Sequence, residues 1–210
     1  MTDTALGRSA RKRQTILSAG QQLFLSNGYQ GTSMDQVAAT AAVSKQTVYK
    51  HFGEKRELLF AIVTDALDAA AGAVLDRIAA LTDSGDLEAD LVSVARDYLR
   101  TVLDDRVVQL RRLVIGEANR LPELAQLYYE HAPRRTLATL TDVFDQLHAK
   151  GELHAPEPRF AAEHFAFLVV GRPIDQALFD GAPTVVAETD IDRYARAGVD
   201  VFLAAYRARE

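Results

Sequence analysis

The chain has 210 residues, 48% hydrophobic and 25% charged, enough for a packed core and too apolar for a disordered chain. It holds no cysteine, which excludes disulfides, thiolate metal sites and cysteine nucleophiles together and fits a reducing cytoplasmic setting. The net charge of −5 is uneven: residues 1–56 carry eight Lys and Arg against three Asp and Glu, while residues 57–210 carry 16 against 26. A basic head on an acidic body points to a polyanion-binding unit joined to one with another task. No apolar run is expected to approach the ~18 to 20 residues of a membrane span, and helical periodicity, not a leader-like apolar block, follows Arg8, Arg11, Lys12 and Arg13.

Helical periodicity runs through the whole chain. Ile16, Leu17, Ala19, Leu23 and Phe24 share one face of a first helix over residues 8–26, closed by Asn27 and Gly28. Ser33 and Gln36 have capping-box spacing, which starts a second helix over 34–40. Ala41, Ala42 and Val43 make a tight connection, and Ser44 caps a third helix over 45–52, with Val43 and Val48 at staple positions. Gly53 ends it. A long fourth helix follows to about residue 81, striped by Leu59, Ile62, Val63, Ala66, Leu67, Ala70, Val74 and Ile78. Amphipathic segments are expected over 87–104 and 106–119. Pro122, Pro133 and Pro158 each suit the first turn of a helix, giving 122–130, 133–149 and 158–179. Pro173 should kink or shorten the last of these. Gly181, Ala182 and Pro183 break the chain before a final helix over 190–208, and no sheet is expected.

The second and third helices, about four residues apart, have the spacing of a helix-turn-helix, whose second helix enters the major groove. That explains the composition of the stretch from Ser44 to Phe52. Lys45 and Gln46 stand in the first turn, suited to guanine and adenine edges. Thr47, Tyr49, Lys50 and His51 offer donors to phosphates, while Val48 and Phe52 turn inward. Lys55 opens the fourth helix, where free backbone N–H groups also favour a phosphate. A solvated αα-hairpin would share the spacing. The basic balance and the two serine caps favour DNA.

Residues 11–59 resemble the DNA-binding domain of the tetracycline-repressor (TetR/AcrR) family. The landmarks are Gly28 and Tyr29, Thr32 and Ser33, Val37 and Ala38, the run from Ala42 to Ser44, and the run from Val48 to Phe52. By that resemblance Thr32 or Ser33, Lys45, Gln46, Thr47, Tyr49, His51 and Lys55 fall on positions that commonly contact DNA. The stretch from Arg111 to Pro133, with the later run from Arg159 to Gly171, resembles the C-terminal domain of an AefR-type subgroup. The resemblance implies an all-α chain, with a helix-turn-helix domain over 1–55 and a helical ligand-binding and dimerisation domain over 56–210.

The segment from Phe165 to Val170 is apolar nearly all round and needs cover on every side. With the seam of Ile191, Tyr194, Gly198, Val201, Phe202 and Tyr206 it is expected to form a homodimer interface, through Phe165, Val169, Tyr194, Gly198, Val201 and Phe202 in particular. On this reading a charge at Phe202 gives monomers. Pocket candidates are Tyr98, Val102, Leu113, Leu140, Phe144, Phe167 and Leu168, with Glu117 and His164 as polar anchors, a set suited to a small apolar or amphipathic effector. The five histidines form no HxxxH pair and no phosphate-binding or nucleophile-elbow motif occurs, so neither a cofactor nor a metal nor an enzyme activity is expected. The expectation is a ligand-responsive transcriptional regulator, a repressor, on a double-stranded operator. The alternatives are a helical small-molecule or protein-binding module, a regulator without a ligand, and an activator.

Overall fold

The computed structural model describes residues 3–208, with side chains from Gly7 onward. Among these the chain forms α1 (Asp3–Asn27), α2 (Met34–Thr40), α3 (Lys45–Phe52), α4 (Lys55–Ala80), α5 (Leu87–Val102), α6 (Asp105–Glu117), α7 (Pro122–Tyr129), α8 (Arg135–Ala149), α9 (Pro158–Asp180), α10 (Ala182–Glu188) and α11 (Ile191–Tyr206). The one β-type pairing among the described residues is an isolated bridge between Leu153 and Arg207. Two compact units result. The first runs to Ala66 and includes Arg112–Tyr128; the second is Leu67–Arg111 with the chain from Tyr129 onward. Both α4 and α6 pass from one unit to the other.

In the first unit, α1 buries Ile16, Leu17 and Phe24, α2 buries Met34 and Val37, and α3 buries Val48 and Phe52. From α4 come Leu58, Leu59, Ile62 and Val63. Gly20 lets α1 lie close to α4, since a Cβ there would sit 2.8 Å from Ile62 Cδ1. Gly28, at φ 71°, ends α1 in the left-handed region, and its N–H donates to Phe24 O at 2.9 Å. Ala42 takes the same backbone region at φ 51° without being glycine, a conformation that costs an L side chain about 1 to 2 kcal/mol.

In the second unit α5, α8, α9 and α11 pack together, with α10 against α9. Its centre is aromatic. Phe144 of α8 meets Phe165 of α9 edge-on at 5.7 Å and Phe202 of α11 in a stack at 5.1 Å. Phe202 also meets Phe165 edge-on at 5.2 Å and stacks on Tyr206 at 4.9 Å. Edge-on and offset-stacked rings are the arrangements their quadrupoles favour.

Four features differ from expectation. First, α1 starts at Asp3, five residues before the expected start, and runs through Gly7 without ending there. Second, α10 forms where only a chain break was read: Gly181, at φ 87°, turns the chain, Pro183 occupies the first turn, and Ala182 and Val185 are buried. Third, Pro133 starts no helix. It lies inside a π turn, Glu130–Arg134, through which the chain passes unbroken from α7 to α8; the wider turn accommodates the missing N–H. Likewise α9 continues past Pro173 to Asp180. Fourth, the stretch Lys55–Asp83 is long and apolar enough to cross a membrane by length and composition, contrary to the expectation that no such run exists. Most of its large apolar residues, Leu58, Leu59, Ile62, Val63, Leu67, Val74, Leu75 and Ile78, are buried, while Phe60 is half-buried.

The aromatic centre overturns the role expected of three residues. Phe165, Val169 and Phe202 are fully buried within the chain itself, so they are core residues before any second copy arrives. Phe202→Ala is expected to lower stability by about 3 to 5 kcal/mol, measured by denaturant unfolding. Phe202→Glu is expected to lose the folded state, read by circular dichroism, rather than to give folded monomers.

Candidate nucleic-acid interface

The α2–turn–α3 unit is fixed by local capping. Ser33 Oγ accepts from Gln36 N at 3.2 Å, and Gln36 Oε1 accepts from Ser33 N at 2.8 Å, closing the expected capping box. Ser44 Oγ accepts from Thr47 N at 3.2 Å and lies 2.8 Å from Thr47 Oγ1. Burial of Val48 and Phe52 then fixes the rotation of α3 about its axis. Gln46, Tyr49 and Lys50, at i, i+3 and i+4, form the opposite, exposed face. Tyr49, 43% exposed, is a large aromatic side chain left in solvent with a hydroxyl at its tip. His51 is half-buried beside the Phe52 ring, at 6.2 Å between centroids.

Several candidates are already engaged. Lys45 forms an ion pair with Asp35, at 2.8 and 3.0 Å to the two carboxylate oxygens, and stands 5.8 Å from the centre of the Tyr49 ring. The hydrogen bond to Asp35, and then its charge, raise the Lys45 pKa above the ordinary lysine value. Thr32, 2% exposed, donates its hydroxyl to Leu23 O at 3.1 Å and Gly28 O at 2.9 Å. It holds the loop after α1 together and has no surface from which to touch DNA; Ser33, the exposed member of that pair, is occupied as the cap of α2. Lys55 Nζ donates to Tyr29 O at 2.9 Å and Thr32 O at 3.0 Å, and lies 4.3 Å from the centre of the Tyr29 ring. It ties α4 to the same loop. Burial pushes the Tyr29 phenol up, Glu54 adds to the rise and Arg56 opposes it.

Sequence reasoning missed two contacts here. Asp35 as partner of Lys45 is ten residues away on another helix, and no spacing rule marks it. The Arg13 guanidinium lies over the Phe52 ring at 5.4 Å, which places α1 beside the end of α3. The basic residues near the N-terminus were visible in the sequence, but their position was not.

The pocket candidates do not converge. Leu140 and Phe144 are solid core, and Tyr98, Val102 and Leu168 are half-buried against that core. Phe167, 70% exposed, and His164 face outward from α9; His164 Nδ1 lies 2.6 Å from the Tyr206 hydroxyl. Leu113 and Glu117 belong to the first unit. Glu117 is buried with one carboxylate oxygen lacking a hydrogen bond, although Arg120 Nη1 stands 3.5 Å from it; at that distance the pair is electrostatic only. Clefts of about 440 and 360 Å³ open on the second unit around Glu88, Leu203 and Arg207, and none of the nine candidates lines them. Of the remaining interface candidates, Gly198 lets α11 approach α9, since its Cβ would sit 3.3 Å from Leu168 O. Tyr194 packs on the core, and Val201 is exposed. Among the described residues no three His, Cys, Asp or Glu come together as a metal site.

A capped helix-turn-helix with a polar face on its second helix, in an all-α chain with a basic head, defines a DNA-binding regulatory protein. Residues 16–62 match the bacterial regulatory proteins of the tetR family, and residues 89–208 match the AefR-like transcriptional repressor C-terminal domain. A solved TetR-family transcriptional regulator from Mesorhizobium loti superposes with a TM-score of 0.87 at 34% identity, covering 95% of this chain and 98% of its own. The flavonoid-responsive regulator FrrA superposes with a TM-score of 0.75 at 31% identity, covering 96% of this chain and 100% of its own. The HTH-type transcriptional activator FasR of Mycolicibacterium smegmatis is 33% identical over 101 residues, 48% of this chain and 36% of FasR. Two further curated regulators are matched over 25% and 43% of their own lengths, so the chain aligns with less than half of each of these three relatives. The chain belongs to the TetR family of transcriptional regulators, a family of DNA-binding proteins and not of enzymes.

Lys55→Met removes two charge-assisted hydrogen bonds to backbone carbonyls and is expected to cost about 1 to 2 kcal/mol in urea unfolding. Gln46→Ala, on the exposed face, is expected to stay within about 0.5 kcal/mol of the parent in the same measurement.

Proposed function

We propose that this protein is a cytoplasmic, ligand-responsive transcriptional repressor. It binds a palindromic operator as a homodimer and releases it when a small apolar or amphipathic effector binds. Residues 1–55 act as the DNA-binding head, and residues 56–210 carry effector binding and dimerisation. The observation that carries this reading is the outward stripe of Gln46, Tyr49 and Lys50 on a helix whose other face is anchored by Val48 and Phe52. Gln46, with Lys45 beside it, addresses base edges; Thr47, Tyr49, Lys50 and His51 address phosphates. Thr32, Ser33 and Lys55 act indirectly, by holding the loop and caps that present α3.

A second copy is supported by large apolar side chains that α9 and α11 leave in solvent, notably Phe160, Phe167 and Val201. These replace Phe165, Val169 and Phe202 as the proposed seam. A two-headed particle also suits a two-fold operator. An effector is supported by the likeness to FrrA, which is flavonoid-responsive, and by the half-satisfied buried carboxylate of Glu117, a natural partner for a ligand's donor group. No membrane partner belongs to this reading. Activation is the second reading, favoured by the likeness to the activator FasR.

Selection from a random-duplex library is expected to return an enriched, roughly palindromic motif. Tyr49→Ala should weaken binding to all sequences, while Gln46→Ala should change which bases are preferred. Absence of any enriched motif overturns the reading. Sedimentation is expected to show a dimer at micromolar concentration, and Phe167→Glu or Val201→Glu a folded monomer. A flavonoid or similar amphipathic compound at a hundredfold excess over its Kd should stabilise the fold by about 2.7 kcal/mol and release the operator.

A further inference from the structure

The two lysines of α3 are held differently. Lys50 is exposed and has no ion-pair partner among the described residues, so its charge is free to meet any phosphate. Lys45, also exposed, gives its ammonium to Asp35, at 2.8 Å to one carboxylate oxygen and 3.0 Å to the other. The pair joins the first turns of two helices, with Asp35 in α2 and Lys45 at the start of α3. In a helix-turn-helix the N-terminal residues of the second helix are the ones that reach base edges. A full negative charge therefore stands beside the residue best placed to read a base, on a side chain that is 64% exposed.

Local structure does not require this pairing. Ser33 and Gln36 already cap α2. An acid in the first turn favours that helix weakly through its dipole, and an exposed ion pair shifts an equilibrium by at most about fivefold. Neither the cap nor the dipole needs the carboxylate to hold the Lys45 ammonium.

The pair changes what Lys45 can do. Together the two groups carry no net charge, so as a unit they release no counterions from DNA and gain nothing from phosphates in general. If the ammonium met a phosphate while still paired, the Asp35 carboxylate would stand about 6 Å from that phosphate, two hydrogen-bond lengths away. That is well within the roughly 10 Å over which charges act at 0.1 M salt. Turning Lys45 away from Asp35 breaks only a weak pair, but it leaves the carboxylate bare before the polyanion. A base edge is different. An ammonium has three N–H donors, so with Asp35 on one side it keeps a donor for another acceptor. Guanine O6 and N7 accept such a bond and carry no full charge to repel the carboxylate.

We propose that Asp35 is a specificity-determining residue of the DNA interface: by holding Lys45 it withholds that charge from phosphates and leaves it usable at a base edge. Discrimination then comes from a repulsive element against the wrong contact as well as from attraction to the right one. The inference rests on the DNA-binding reading above and deepens it, since part of the selectivity falls to a side chain that touches no base.

The test uses the full chain with Asp35→Asn, Lys45→Met and the double variant; circular dichroism and thermal unfolding check that each folds. Asparagine keeps the shape of aspartate and loses its charge. Binding is measured at about 0.1 M salt on two duplexes of equal length, one carrying the motif that the parent selects and one scrambled. Asp35→Asn is expected to bind the scrambled duplex about threefold or more tightly than the parent and to gain less on the motif, so the motif-to-scrambled ratio falls. Its salt slope on the scrambled duplex should steepen by up to about 1.8 per dimer, for one added phosphate per protomer. In the Lys45→Met background, Asp35→Asn should leave the ratio unchanged, because no ammonium remains to be directed. Equal gains on both duplexes overturn the proposal, since Asp35 would then act only by general repulsion. No change on either duplex also overturns it. A fall in the ratio that persists in the Lys45→Met background overturns it as well, and gives Asp35 a contact of its own with cytosine N4. Each of these outcomes leaves the regulator reading intact, whereas a parent that selects no motif overturns that reading and this inference together.

Discussion

The burial of Val48 and Phe52 is the constraint on which the DNA-facing surface depends. Both lie on one side of a two-turn helix too short to hold its own orientation. Their burial decides the rotation of α3, and a rotation of one residue would turn Gln46 and Tyr49 away from solvent. The Ser44 cap decides where the helix starts, and Gly53, at φ 56°, decides where it stops. Between these limits the exposed face has no freedom: the residues that can meet a groove are those the core does not take.

The polar residues around this face divide into those that present it and those that are presented. Thr32 and Lys55 donate to four backbone carbonyls, that of Leu23 in the last turns of α1 and those of Gly28, Tyr29 and Thr32 in the loop that follows. Without them those carbonyls would be left poorly paired, and the loop would lose its register on α4. Lys45 is different, because its partner Asp35 is as exposed as it is. An exposed ion pair is worth little in itself. It keeps Lys45 oriented beside Tyr49 in the free protein and can be exchanged for a phosphate or base acceptor at small cost.

What could be seen in the sequence was whatever has a local cause. Ser33 with Gln36, Ser44 with Thr47, and Gly28 are written in spacings of a few residues, and the bounds of α2 and α3 follow from them. The inward role of Val48 and Phe52 is an i, i+4 pattern. What could not be seen has a distant cause. The segment from Phe165 to Val170 is apolar on all sides, so periodicity cannot say which phenylalanine faces inward. Phe144 and Phe202, from two other helices, settle it by enclosing Phe165 and leaving Phe167 outside. Likewise α10 exists because Ala182 and Val185 find cover on α9, a contact invisible in a seven-residue stretch with a proline in it. The pocket candidates scattered because helical spacing marks apolar positions without telling core from lining. The comparisons add the family and the regulatory class; they assign no role to an individual side chain.

The outward phenylalanines also bound what a proposed dimer must contain. Phe160 and Phe167 are seven residues apart on one face of α9, 49% and 70% exposed. At roughly 200 Å² for a phenylalanine side chain, the two present about 240 Å² per protomer. An isologous seam uses each residue twice, giving about 480 Å² in total. A specific stable interface buries about 1,200 to 2,000 Å². The two rings therefore supply the dry centre and not the whole contact. The remainder would come from other exposed groups of α9 and α11, among them Phe179 and Val201, and from polar pairs already ordered within a protomer, such as His164 with Tyr206 and Arg159 with Glu163. Burial pushes the Tyr206 phenol up, with Glu157 adding to it. Were the His164–Tyr206 pair to lie in such a seam, its hydrogen bond would already be made, which would lower the desolvation cost of placing two polar groups beside apolar rings.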